Sequence, residues 1–210
     1  MKFLFGRINS ILIILVLLVI TNSTVFADES KIEFILGSDN CGGNLIQATE
    51  GEATLRASAD GVNSDTSISA PRMQGKKLAA GWREGGYWLI EFSGENLSNM
   101  TFSADMFSSG KAPKFFKMYY SINGTDFIAV DGSEVALSKK SQTVYDNFPL
   151  PQDLNNSKKV YIKLMINSNE AVNGSDITGV KDGSTYINNI IIKGNGEVKP
   201  DTPKEEQKEK

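Results

Sequence analysis

The chain has 210 residues, with 22 lysines and arginines, 25 aspartates and glutamates, no histidine and a formal net charge of −3. This length suits one domain that buries its core without covalent staples. The mildly acidic balance makes it a poor partner for nucleic acid or for an anionic membrane surface. Because histidine is absent, histidine-dependent nucleophiles and nearly all transition-metal sites are excluded, since Cys41 is the one thiol that remains.

The first residues are typical of an export leader. Lys2 and Arg7 give a positive start, an apolar run follows at 11–20, and Ala27 ends a small-residue cleavage pattern. A membrane anchor needs about 20 apolar residues, whereas polar residues interrupt this run after about ten. We therefore predict cleavage after Ala27, secretion, no stable membrane insertion afterwards and a mature net charge of about −5.

The following residues show apolar alternation of period two, which predicts strands. Early strands are predicted at 32–36 and 53–57. The clearest signal lies at 82–127, where the runs YWLIEFS, MTFSADMFSS and FKMYYSI each place apolar residues on one face. Late strands are predicted at 160–166 and 186–192. Turn signals about ten residues apart favour an antiparallel sandwich or jelly roll, and no window predicts an amphipathic helix.

The turns of this predicted sandwich are marked by their residue types. Asn123-Gly124 predicts a tight hairpin, since both residues tolerate positive φ. Pro149 and Pro151 predict that a strand ends there. Cys41 is alone, so no internal disulfide is possible, and either a buried small residue or a free thiol remains open for it.

The domain boundaries follow from changes in composition. We predict a signal peptide at 1–27, a β-sandwich module at 28–196 and a disordered tail at 197–210. The tail is charged, contains prolines and has almost no apolar residues, so it cannot bury enough surface to offset the entropy of ordering. Whether the chain is a stand-alone module or part of a multidomain protein, its oligomeric state and the role of the tail stay open.

Paired carboxylates are the one enzymatic route that needs no histidine. Glu91 and Asp105 are the acids within strong strands, and a solvent-facing position on an antiparallel sheet is the preferred interpretation of each. We predict that the chain is not an enzyme. No cofactor is predicted, although a structural Ca²⁺ stays open because the clusters Asp39-Asn40 and 63–65 supply oxygen ligands.

The aromatic residues are the best candidates for a binding surface. Trp82 and Arg83 lie in a Gly-bounded polar loop, where an exposed indole could stack on a sugar ring and the guanidinium could donate hydrogen bonds. Tyr87 could assist from the neighbouring strand. A second interpretation has Trp82 folded back as a plug at the end of the sandwich. Trp88 is expected in the core, because it shares a strand face with Ile90.

Several ordered motifs resemble a galactose-binding-like jelly-roll module of secreted bacterial multidomain proteins. The motifs are Gly81-Trp82, YWLIEFS at 87–93, MTFSA at 100–104, FKMYYSINGTDF at 116–127, NFPLP at 147–151, VYIK at 160–163 and INNIII at 187–192. The run at 116–127 is similar to a hairpin of discoidin-like and carbohydrate-binding domains. The resemblance covers about the whole predicted module and implies an all-β antiparallel sandwich that binds glycans or protein partners outside the cell.

These observations together lead to one leading hypothesis. It is a secreted, non-catalytic module that binds carbohydrate or another cell-surface ligand through its end loops or one exposed sheet face, with Trp82, Arg83 and Tyr87 as binding residues. The alternative is a structural or protein-interaction (adhesion) module, or an accessory piece of a larger extracellular enzyme. A small hydrolase is a third hypothesis, and it requires Glu91 or Asp105 to converge with another acid in a cleft.

Overall fold

The structure is a computed structural model that describes residues 29–34, 45–59, 61, 68–69, 76–78, 82–178 and 182–196. The predicted leader, the predicted tail, Cys41 and the two clusters considered for Ca²⁺ lie outside the described residues. The predictions made for them therefore stay predictions.

Within these residues the chain forms two antiparallel sheets. The first sheet contains β1 (Glu29–Phe34), β4 (Ile68–Ser69), β5 (Lys76–Leu78), β7 (Leu97–Ser108), β11 (Gln142–Pro149) and β13 (Thr185–Gly196). The second sheet contains β2 (Ile46–Gln47), β3 (Ala53–Ser58), β6 (Tyr87–Phe92), β8 (Phe115–Ser121), β9 (Ile128–Ala129), β10 (Val135–Ala136) and β12 (Val160–Ile166).

The strand order is that of a jelly-roll sandwich. The first sheet runs β11–β7–β13–β5–β4, with β1 also on β13, and the second runs β10–β8–β12–β6–β3–β2, with β9 on β8. The longer strands from β6 to β13 alternate between the sheets along the chain. In the described part of the chain, the helical structure is a single 3₁₀ turn, Gln152–Leu154. The predicted all-β antiparallel sandwich is confirmed.

The core lies between the sheets and is filled by every second residue of the strands. The buried faces predicted from alternation in β3, β6, β7, β8 and β12 are the faces that the structure buries. Each such large apolar side chain contributes about 1.5–3 kcal/mol on burial. The largest fully buried side chains are Trp88, Phe102, Phe116, Leu55, Ile90, Met100, Met106 and Met118.

Both strands that flank β7 are bulged. The register of β11 shifts between Thr143 and Tyr145 and again before Phe148, and the register of β13 shifts between Asn188 and Ile191. The shift in β13 explains why its apolar residues do not alternate regularly. Ile187 is buried before the shift, and Ile190 and Ile192 are buried after it. A bulge inserts an extra residue and re-aims its neighbours.

The hairpin between β8 and β9 is longer than the tight turn that the sequence predicts, because the connection spans 122–127. The Asn123 side-chain carbonyl accepts hydrogen bonds from the Thr125 N–H, the Thr125 hydroxyl and the Asp126 N–H, each at 2.9 Å. This side chain replaces the ladder bonds that a two-residue turn would make. Gly124 has the expected positive φ of 76°, and a Cβ there would lie 3.1 Å from Tyr161 Cζ.

Tyr145 ties β11 to the second sheet through the core. It is 2% exposed, and its hydroxyl donates to the Ser133 carbonyl at 2.8 Å. Its ring meets Phe102 and Phe148 edge to face, with centroid distances of 5.5 and 5.6 Å. Burial raises the pKa of the Tyr145 phenol well above its ordinary value of 10.0.

We expect Tyr145→Phe to lower the free energy of unfolding by roughly 1–2 kcal/mol at about pH 8, because the Ser133 carbonyl loses a buried donor. The difference from wild type should shrink as pH rises above the ordinary tyrosine pKa. There the unfolded chain releases the phenol proton while the folded chain keeps it, so the stability that Tyr145 contributes is lost. Urea unfolding at about pH 8 and about pH 11 measures both effects. A pH-independent difference would contradict the buried phenol.

Candidate ligand-binding site

Trp82 lies inside the sandwich and is 2% exposed. Its ring packs against Trp88 with a centroid distance of 6.3 Å and an interplanar angle of 51°. In the described part of the chain, neither indole N–H has a hydrogen-bond acceptor. The prediction of an exposed stacking ring at Trp82 is therefore wrong. The buried position agrees with the second interpretation, in which Trp82 folds back as a plug at the end of the sandwich.

The backbone after Trp82 explains why the indole turns inward. The Arg83 N–H donates to the Ala59 carbonyl and the Gly85 N–H donates to the Ile166 carbonyl, both at 3.0 Å. A Cβ on Gly86 would lie 2.5 Å from the Ala59 carbonyl oxygen, so the loop fits closely against the residue that follows β3. Arg83 itself is exposed. The loop thus presents Arg83 to solvent and places Trp82 in the core.

Tyr87 lies on the opposite side of the second sheet from Trp88 and is 8% exposed. The Lys163 ammonium lies 4.4 Å from the centroid of the Tyr87 ring and 3.5 Å from that of Phe127. The Tyr87 ring is therefore engaged by a cation rather than open for stacking. Because Trp82 packs on Trp88 in the core, the structure does not bring Trp82 and Tyr87 into one site.

Tyr87 belongs to three rows of side chains that cross β3, β6, β12 and β8 on the side away from the core. We call this surface the second-sheet face. Most of its side chains are half-buried. The rows are Thr54–Glu91–Tyr161–Ser121, Arg56–Leu89–Lys163–Tyr119 and Ser58–Tyr87–Met165–Lys117.

Lys163 occupies the middle of the second-sheet face. Burial lowers the pKa of its ammonium below the ordinary value of 10.5. The rings of Tyr87 and Phe127 offset part of that burial, since a cation over an aromatic face gains about 0.5–2 kcal/mol. Tyr119 is its direct cross-strand neighbour on β8. The centre of this face is thus a fixed cation beside a half-buried tyrosine.

One end of the second-sheet face is ionic. Glu91 accepts a hydrogen bond from Lys159 Nζ at 2.8 Å and from Arg56 Nη2 at 3.4 Å. The bond to Glu91 raises the pKa of the Lys159 ammonium. Glu91, Lys159 and Thr54 line a cavity of about 490 Å³. Among the described residues, Arg56 Nε and Thr54 Oγ1 are buried without hydrogen-bond partners, which is uncommon for buried polar atoms.

Glu91 and Asp105 do not converge. Glu91 lies on the second-sheet face, whereas Asp105 lies on the outer face of the first sheet, where the Thr143 hydroxyl and the Asn189 amide donate to it. Packed sheets are about 10 Å apart, and the two side chains point away from each other. Since glycosidases hold their acids about 5–10 Å apart around one cleft, this pair does not have the required arrangement.

The described part of the chain contains no group of three or more His, Cys, Asp or Glu side chains suited to hold a metal ion. The oxygen-rich clusters considered for Ca²⁺ lie outside that part. Within the same residues, no helix has the length and apolar character needed to cross a membrane.

Comparison with known proteins gives structural neighbours of the sandwich. No family model and no curated protein matches the chain. The chain is similar to solved carbohydrate-binding modules and adhesin domains. CBM4 is 10% identical, with a TM-score of 0.39 and coverage of 82% of this chain and 90% of that one. The family 11 carbohydrate-binding module of a cellulosomal cellulase of Clostridium thermocellum is 13% identical, with a TM-score of 0.33 and coverage of 83% and 91%.

An adhesin is among the neighbours as well. The K3 cleaved adhesin domain of Lys-gingipain from Porphyromonas gingivalis is 13% identical, with a TM-score of 0.34 and coverage of 78% of this chain and 90% of that one.

We expect Trp82→Ala to lower the free energy of unfolding by about 3–5 kcal/mol, because it leaves a cavity beside Trp88. The exposed neighbour provides the control, since Arg83→Ala should change stability by less than about 0.5 kcal/mol. Urea unfolding of the two variants and of the wild type measures both changes in the free energy of unfolding. Equal stability of Trp82→Ala and wild type would contradict the buried position of the indole.

Proposed function

We propose that the chain is a secreted, non-catalytic module that binds carbohydrate on its second-sheet face. One observation carries the proposal: a half-buried sheet face joins tyrosine rings to fixed charged groups beside a cavity of about 490 Å³. Thr54 Oγ1 belongs to a residue of the cavity lining and Arg56 Nε to the next row of the face, and both atoms are without partners among the described residues. Ligand sites combine apolar surface with a few placed polar groups in this way.

The chemistry of a sugar fits these groups. A pyranose ring has apolar C–H faces that pack on aromatic rings, and Tyr119 and Tyr161 lie on neighbouring strands of this face. Its hydroxyls donate to carboxylates and accept from cations. Glu91, Arg56 and Lys159 supply both kinds of group and already hold one another in place. Binding to such a preformed surface costs little reorganisation, and a shallow site gives modest affinity.

The absence of catalysis is part of the same proposal. The sequence has no histidine, and the two strand acids considered for hydrolysis point to opposite sides of the sandwich. The charged groups on the second-sheet face are instead engaged in ion pairs and a cation–aromatic contact. Such an arrangement supports recognition rather than bond cleavage.

A second candidate function is protein adhesion, and one observation favours it. Ile122 and Ile128 flank the hairpin between β8 and β9 and are 56% and 55% exposed. Exposed apolar patches are typical of contact surfaces between proteins. This candidate predicts partner binding that soluble sugars do not compete.

We expect Tyr119→Ala and Arg56→Ala to weaken binding to the polysaccharides that the wild-type chain recognises on a glycan array by about fivefold to tenfold. Each change removes a contact worth about 1–1.4 kcal/mol. Lys111→Ala is the control, because Lys111 is exposed and pairs with Asp182 away from this face. Affinity measurements on the glycans selected by the array test the effect. Flat binding across the array, or unchanged binding by both variants, would refute the proposal.

A further inference from the structure

The outer side of the first sheet carries a groove of its own. Two cavities of about 330 and about 400 Å³ adjoin there and share Asp105 and Asn189 in their linings. We call their combined surface the first-sheet groove. One end of it is lined by Phe107 and Tyr186, and the other end includes Ser103, Thr143, Asp146, Asn147 and Lys193.

Asp105 lies in the middle of the groove, and a hydrogen bond to each carboxylate oxygen fixes the orientation of the side chain. Thr143 Oγ1 donates to Oδ1 and Asn189 Nδ2 donates to Oδ2, each at 2.7 Å. Among the described residues Asp105 has no ion-pair partner, and Lys193, which lines the same groove, pairs with Glu29 at 3.0 Å. A carboxylate has about four acceptor positions, so each oxygen can accept another hydrogen bond from a ligand.

The backbone is irregular on both sides of Asp105. β11 is bulged next to Thr143, and β13 is bulged after Asn188. Asn189 has a φ of 48°, in the left-handed region that non-glycine residues rarely adopt. These departures bring the Thr143 hydroxyl and the Asn189 amide to the same carboxylate from opposite strands. Bulges that re-aim side chains are frequent beside functional sites.

The end of the groove lined by Phe107 and Tyr186 is an aromatic wall. Phe107 and Tyr186 face each other across β7 and β13, with centroids 4.1 Å apart and an interplanar angle of 3°. Both are half-buried on the outer side of the sheet. Stacking keeps the two rings rigid, so they offer flat apolar surface at little entropic cost.

We propose that the first-sheet groove is a second binding site, which takes one or two uncharged sugar units. The apolar face of a sugar ring packs against the Phe107–Tyr186 wall, and its hydroxyls donate to Asp105. The lining favours an uncharged sugar. Asp105 and Asp146 repel a carboxylated or sulfated sugar, and Lys193, the cation among the described lining residues, is already paired with Glu29.

This site is separate from the second-sheet face, since the two surfaces lie on opposite sides of the sandwich. One chain could therefore hold two glycan strands at once. Bivalent attachment of this kind raises avidity for a polysaccharide surface without new contacts.

The test is nuclear magnetic resonance of the isotope-labelled full chain during titration with sugars. The probes are methyl β-glucoside, methyl β-galactoside and N-acetylglucosamine, with glucuronate as the anionic comparison. We expect at least one neutral probe to shift the signals of Asp105, Asn189 and Tyr186, and glucuronate to shift them at least fivefold less at equal concentration. Asp105→Asn and Tyr186→Ala should each weaken the effect at least tenfold. Asp131→Asn, in an exposed turn, is the matched control and should not change it.

The outcomes separate this inference from the proposed function. If no neutral probe shifts the groove signals, or if glucuronate shifts them equally, the groove is not the site inferred here, whatever happens on the second-sheet face. Tyr119→Ala should remove only the shifts of the second-sheet face. Groove shifts without any on the second-sheet face would support this inference and contradict the proposed location of the first site. Should Asp105→Asn fail to fold, Tyr186→Ala decides the question by the same readout.

Discussion

The packing of two sheets through alternate side chains is the constraint on which the rest of this molecule depends. Because side chains of a strand point to opposite faces, placing Trp88 and Ile90 in the core sends Tyr87, Leu89 and Glu91 outward. The core therefore dictates which residues form each outer surface. The composition of those surfaces is consequently a direct outcome of strand register, and the packed core fixes the backbone that carries each surface.

The two outer surfaces differ in the regularity of their strands and in the partners of their charged groups. On the second sheet the ladder between β6 and β12 is regular, the Lys163 ammonium lies over two aromatic rings, and Glu91 is ion-paired with its neighbours. On the first sheet the strands beside Asp105 are bulged, and this carboxylate is held by uncharged donors. The first arrangement gives a broad face of mixed charge. The second gives a narrower groove around one oriented carboxylate, so the two surfaces offer a ligand different sets of polar groups.

Much of the fold could be predicted because its signals are local. Period-two alternation identified the buried faces of β3, β6, β7, β8 and β12, and Pro149 marked the end of β11. The sequence predicts a two-residue turn at Asn123-Gly124, whereas the connection spans 122–127. The hydrogen bonds of the Asn123 side chain to Thr125 and Asp126 stabilise this longer loop. Of the candidate binding residues, Arg83 is exposed as expected, whereas Trp82 is in the core.

The sequence by itself determined the all-β class and the inward face of each long strand, since both follow from residue spacing along one strand. Only the tertiary structure decided that Lys163 covers the Tyr87 ring and that Thr143 and Asn189 meet at Asp105. These contacts join strands far apart in the chain, and they depend on sheet order and on register shifts at bulges. No local pattern encodes such shifts, because they arise from the pairing of whole strands.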